Sequence, residues 1–105
     1  MLNNPEDLKL VTLAQATLNR SGAQQAAALR DNTGRTYVAV AVSSPSLTLD
    51  AVESVFTVAM ASQISGIEAV VFTGEQNAKT SVITEFAPSA AIFFANDGAE
   101  PDKIA

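Results

Sequence analysis

The chain has 105 residues, 48% of them hydrophobic and only 16% charged, with a net charge of −5 and no cysteine or histidine. One domain spanning residues 1–105 is expected, with a real but modest core. Disulfides, thiol nucleophiles, His-based triads and Cys- or His-ligated metal sites are excluded.

The bases Lys9, Arg20, Arg30, Arg35, Lys79 and Lys103 are scattered singly and aromatic residues are few, so no nucleic-acid partner is expected. No apolar run approaches the ~20 residues that cross a membrane, and no membrane partner is expected. Residues 1–7 are acidic and lack the charged start and apolar stretch of a signal peptide. Zero cysteine fits a reducing cytoplasm. The shortage of charge in so small a protein points to surface covered by another subunit.

In chain order, Asn4 can cap a helix with Pro5 at its first position, and Leu10, Leu13, Ala14, Thr17 and Leu18 continue at helical spacing until Ser21-Gly22. Residues 23–29 read as a strand, 31–34 (Asp-Asn-Thr-Gly) as a hairpin turn, and 36–42 as a strand pairing back antiparallel. Residues 43–46 (Ser-Ser-Pro-Ser) read as a loop. A second helix is expected over 50–65, opened by a capping box of Asp50 and Glu53 and ended by Gly66. Its apolar residues, Val52 to Ile64, wrap nearly the whole circumference, as in a helix buried on several sides.

Residues 67–73 read as a central strand, and Asn77 or Thr80 opens a third helix reaching Phe86. Residues 90–94 read as a fourth strand and Asn96-Asp97-Gly98 as a turn, with the last seven residues loosely ordered. The fold class is therefore α/β: a three-layer α/β/α domain in the order α-β-β-α-β-α-β. Its mixed sheet has an N-terminal antiparallel hairpin and two right-handed crossovers, with helices on both faces.

This order, over roughly residues 6–98, resembles the small homotetrameric cytidine deaminases. Ala26-Ala27-Ala28-Leu29 followed by Gly34-Arg35-Thr36-Tyr37 is similar to that family's first hairpin. Leu47-Thr48-Leu49-Asp50-Ala51 is similar to its entry into the second helix. Val82-Ile83-Thr84-Glu85-Phe86 is similar to the end of its third helix, followed by an Ile-bearing strand at Ile92.

The resemblance implies a zinc-activated water attacking C4 of cytosine, with a Glu as proton shuttle. The family's signatures are C-A-E or H-A-E at the second helix and P-C-x-x-C at the third. On this chain they place the first metal ligand at Asp50, the shuttle at Val52, and the two thiolates at Gln76 and Lys79. The base- and ribose-binding positions fall near Ala41 and Ser43. Every functional position departs from the pattern, so the resemblance implies a scaffold without catalytic residues, metal or cofactor.

Asp50 and Lys79 are the most informative pair, an acid and a base at facing helix starts. One reading is a reused pocket for a small, nucleoside-like ligand. Another is a structural ion pair where the metal would sit, with Asp50 also capping its helix. A third is a misalignment by a residue or two. Glu53 is better placed to cap than to act as a displaced acid. The serines of 43–46 have no His to activate them, and a Ser-Lys pair with Lys79 is the remaining route.

Phe93 and Phe94 point to opposite faces of a strand, as core plus interface. Glu6, Asp7, Asp31, Asp97, Glu100 and Asp102 lack metal-loop spacing and read as solvated surface. The chain is thus expected to be a catalytically inactive structural or interaction module. It is expected to assemble as a homo-oligomer, a dimer or tetramer, with a further protein partner possible. The alternative is a small-molecule binder or residual enzyme using the pocket around Asp50 and Lys79.

Overall fold

Seven consecutive buried residues, Gln25–Asp31, form β1, the strand around which the domain is built. The computed structural model describes residues 4–96 and 100–105. Antiparallel to β1 on one side lies β2 (Thr36–Val40), and on the other β5 (Ile67–Gly74). Next come β6 (Ala91–Ala95), parallel to β5, and the short antiparallel β7 (Asp102–Lys103). The sheet order is β2-β1-β5-β6-β7. A small second ladder joins β3 (Val42–Ser43) to β4 (Thr48–Leu49).

Alternation along the strands sorts the core into two layers. Ala27, Leu29, Val70, Phe72, Ile92 and Phe94 pack against α2 (Ala51–Ala61) and α3 (Ser81–Phe86). Ala28, Ala69, Val71, Phe93 and Ala95 pack against Leu10 and Ala14 of α1 (Pro5–Ser21). The period of two sends neighbouring residues to opposite faces. The three-layer α/β/α arrangement with its mixed sheet is the one expected from the element order.

Local signals set several boundaries. Asn4 accepts a hydrogen bond from the Glu6 amide, and Gly22 ends α1 in the left-handed region at φ 70°. Other boundaries moved. The first strand starts at Gln25 and runs on through Arg30 and Asp31, because Arg30 finds a distant partner in Asp7 and Asp31 finds local ones in the turn that follows. The second breaks after Val40, so Ser43 sits in β3, and Ser44 to Leu47 form a tight hairpin closed by the Ser44 amide on the Leu47 carbonyl at 2.9 Å. α2 stops at Ala61 rather than Ser65. Ser62 turns its hydroxyl back onto the Val58 carbonyl, and Gln63 takes the left-handed φ of 63° that usually calls for glycine.

The tail is better ordered than expected. Asp102 and Lys103 pair with Phe94 and Phe93, and Ile92 exchanges backbone bonds with Ile104 and Ala105, which satisfies the open edge of β6. Phe93 and Phe94 are both core, the latter packed on Phe72 at a centroid distance of 5.1 Å. Of the turn read at Asn96-Asp97-Gly98, Asp97 and Gly98 lie outside the described residues.

Asp7 and Asp31 are buried, which corrects their reading as solvated surface. Asp31 organises the β1–β2 turn by accepting from the Thr33 amide and hydroxyl and from the Arg35 amide at 2.7–3.0 Å. Burial pushes its carboxyl up, but the Thr33 hydroxyl, the two amides and the nearby Arg35 charge outweigh this and hold the pKa below its ordinary 3.8. A depressed folded-state pKa means that the stabilisation is complete above the unfolded-state value and is lost as pH falls through the folded-state value. The stability gap between the native chain and Asp31→Asn, measured by urea denaturation, should therefore be constant from pH 7 to about 5 and close on acidification below about pH 4. A gap that persists to pH 2 would contradict this account of the turn.

Candidate functional site

α2 begins where the sequence placed a capping box. Asp50 has extended backbone (φ −73°, ψ 173°), its Oδ1 accepts from the Glu53 amide at 2.9 Å, and Glu53 Oε1 accepts from the Asp50 amide at 3.0 Å. This explains Glu53 fully as a cap. The other carboxylate oxygen, Oδ2, accepts from the backbone amide of Lys79 at 2.7 Å.

The contact between Asp50 and Lys79 is thus direct, but it does not use the ammonium group. The Lys79 side chain is exposed, and among the described residues the ion pairs are Lys9–Glu6, Arg30–Asp7 and Arg30–Glu68. The anticipated side-chain ion pair between Asp50 and Lys79 is replaced by a carboxylate-to-backbone bond. An exposed ammonium gains little from pairing with a half-buried carboxylate that already has two amide donors.

The remaining sequence-assigned positions scatter. Gln76 is exposed in the loop between β5 and α3. Val52 is wholly buried in the core between α2 and the sheet, beside Val55. Ala41 is half-buried and donates its amide to the Gln25 carbonyl at 3.2 Å, and Ser43 is exposed in β3.

A residue that the sequence reading passed over sits at the centre. Gln25, the first residue of β1, is 2% exposed. Its Oε1 accepts from the Ala51 amide at 2.8 Å, and its Nε2 donates to the carbonyls of Glu75 at 2.7 Å and Asn77 at 2.9 Å. The signal was the second of two adjacent carboxamides, Gln24-Gln25, set directly against the apolar run Ala26-Ala27-Ala28-Leu29; a polar residue there has to find partners.

The donor set does not fit the zinc ion that the resemblance implies. Zinc takes thiolate, imidazole or carboxylate ligands, whereas the assigned positions hold one carboxylate, one carboxamide and one ammonium. Both oxygens of the carboxylate already accept backbone amides, and an ammonium has no lone pair to give. Among the described residues no group of three or more His, Cys, Asp or Glu is placed to hold a metal.

Two surface hollows lie elsewhere. One of about 440 Å³ is lined by Pro5, Leu8, Lys9, Thr12 and Leu13 on the outside of α1, and one of about 140 Å³ by Gln15, Leu18, Asn19 and Thr73. Among the described residues no helix is long and apolar enough to cross a membrane.

No curated protein matches the chain. Its backbone superimposes on the 1.6 Å crystal structure of cytidine deaminase from Burkholderia pseudomallei with a TM-score of 0.77. That match covers 100% of this chain and 93% of the other at 20% identity, and it shows a shared fold. The model of the cytidine deaminase-like family matches residues 3–99. By its sequence along nearly its whole length, the chain belongs to the cytidine deaminase-like family.

Proposed function

We propose that the chain is a catalytically inactive cytidine deaminase-like protein that acts as a structural or interaction module in homo-oligomeric form, in a reducing, cytoplasmic setting. One observation carries the reading. At the start of α2, the polar groups that could have served a metal or substrate are spent on the protein's own backbone. The position expected for the proton shuttle is Val52, an apolar residue inside the core.

The oligomeric part rests on apolar side chains left exposed along α2, Val58 at 43% and Met60 at 37%, with Leu47 of the β3–β4 hairpin also exposed. Apolar side chains left exposed on both flanks of the buried Ala59 are better covered than wet. The alternative, a nucleoside-like ligand held by Asp50 and Lys79, has less support, because both Asp50 oxygens already have donors.

The test is an assay and a mass measurement on one preparation. Cytidine and deoxycytidine should release no ammonia above background, since neither a water-activating metal nor a proton shuttle is provided for. Light scattering at micromolar concentration should give two or four times 10.9 kDa, and Met60→Glu should shift the mass downward or unfold the protein. Turnover above background would overturn the inactive reading. A native mass near 10.9 kDa would overturn the oligomeric one.

A further inference from the structure

We propose that the Gln25 carboxamide and the Asp50 carboxylate form one hydrogen-bonded cross-link that holds the start of α2 against the loop leading to α3. In this proposal the protein itself is the ligand at the place where the resemblance put a zinc ion. The inference rests on the reading of a metal-free, inactive site and goes further by saying what has taken the metal's place.

Gln25 alone ties three segments together. It reaches from the first residue of β1 to the first amide of α2 and to two carbonyls of the loop, using its oxygen and both N–H donors. Asp50 closes the same gap from the other side, with one oxygen on its own helix and one on the Lys79 amide. Four bonds of 2.7–2.9 Å therefore join β1 and the start of α2 to residues 75–79 and to each other.

The loop and α3 need this help. α3 has six residues, its Thr80 cap makes no side-chain hydrogen bond, and a helix that short does not persist alone. Among side chains of α3, Ile83 is the one wholly buried in the core. The cross-link also fills the positive end of α2. The Ala51 amide goes to Gln25 and the Glu53 amide to Asp50, whose negative charge suits the helix dipole. An incoming anion or metal-bound water would have to displace groups that already have hydrogen-bond partners, among them the buried Gln25 carboxamide.

Amide exchange followed by NMR tests this in the native chain first. The Ala51 and Lys79 amides should be protected to the same order as those of β1, because each ends on a side-chain oxygen of the cross-link. Gln25→Met keeps the length of the side chain and removes its polar atoms. It should lower the melting midpoint by roughly 10 °C and reduce protection at Ala51 and Lys79 at least about tenfold, while amides of β6 change only with global stability. Adding Asp50→Ala to it should cost less than the two single losses together, since the loop is released only once.

A Lys79 amide that exchanges as fast as an exposed loop in the native chain would overturn the proposal, and this readout does not require the variant to fold. Strictly additive losses, or unchanged Ala51 protection in Gln25→Met, would overturn it as well. Uptake of one zinc per native chain is a separate outcome: it would sink the metal-free reading on which the cross-link rests, and with it the substitution of protein for metal.

Discussion

Replacing Arg30 by methionine is expected to cost about 3–5 kcal/mol of folding stability, because it strands a carboxylate inside the protein. Arg30 lies in β1 and is only 6% exposed. Its Nη2 donates to Asp7 Oδ1 at 2.9 Å, and its Nε to Glu68 Oε1 at 2.7 Å. Asp7, in the first turn of α1, is 8% exposed and pairs with no other cation among the described residues.

The apolar seam of α1 is thin. Leu10 and Ala14 are its buried hydrophobic residues, so the Asp7–Arg30 pair carries much of the docking of its first turn. Without Arg30, the Asp7 carboxylate is left buried without a cation or pulls the turn into water, and either route is costly.

Two companion variants sharpen the expectation. Glu68→Gln should change stability by no more than about 1 kcal/mol, since the Glu68 side chain is 47% exposed and its charge is screened. Replacing both buried partners, Asp7→Leu with Arg30→Met, should recover much of the loss. The guanidinium's third nitrogen, Nη1, is buried without a hydrogen-bond partner among the described residues, so the native pair already carries a desolvation cost. Urea denaturation of the three variants decides the matter. A loss below about 0.5 kcal/mol for Arg30→Met would show that the pair does not hold α1.

The second large effect is expected at Gly74, the last residue of β5. Its φ is +96°, and a Cβ built there would stand 2.3 Å from the Gln24 carbonyl oxygen and 3.1 Å from Gln25 Cα. These neighbours are backbone, held in register by the Gln25–Gly74 pairing and by the Glu75 amide on the Gln24 carbonyl. Gly74→Ala therefore combines a strained backbone region with a clash that no side-chain rotation relieves, and should cost about 3 kcal/mol or more.

Gly22 supplies the control. It also has positive φ, at +70°, but nothing lies within 4 Å of a Cβ there. Gly22→Ala should cost only about 1 kcal/mol, the price of the conformation alone. Equal losses at the two positions, measured by thermal or urea denaturation, would show that the close approach at Gly74 is unimportant. A shift at Gly74 also moves Glu75, whose carbonyl accepts from Gln25, so exchange protection at Ala51 should fall in the same variant.

The sequence alone determined what local chemistry dictates. Asn4 followed by Pro5 starts α1 and Gly22 ends it; Asp50 and Glu53 start α2; the apolar run in residues 67–73 marks a strand buried on both faces. These signals act within about one turn or one strand and need no partner from elsewhere. They were enough for the order of the main elements and the α/β/α layering, and the short strands β3, β4 and β7 and a one-residue left-handed stop at Gln63 were the kind of detail they missed.

The tertiary structure alone decided the fate of polar residues whose partners are far along the chain. Gln25 meets Ala51, Glu75 and Asn77; Arg30 meets Asp7 and Glu68; in each case one buried polar side chain is made tolerable by groups 23 to 52 positions away. Asp50 meets Lys79 through its backbone amide, a donor that every residue except proline carries and that no side-chain charge announces. The oppositely charged pair in the sequence pointed to the right two places for a reason the fold did not use. Where a polar group is to be buried, the free energy depends on whether a partner arrives within hydrogen-bonding distance, and only the folded chain brings it there.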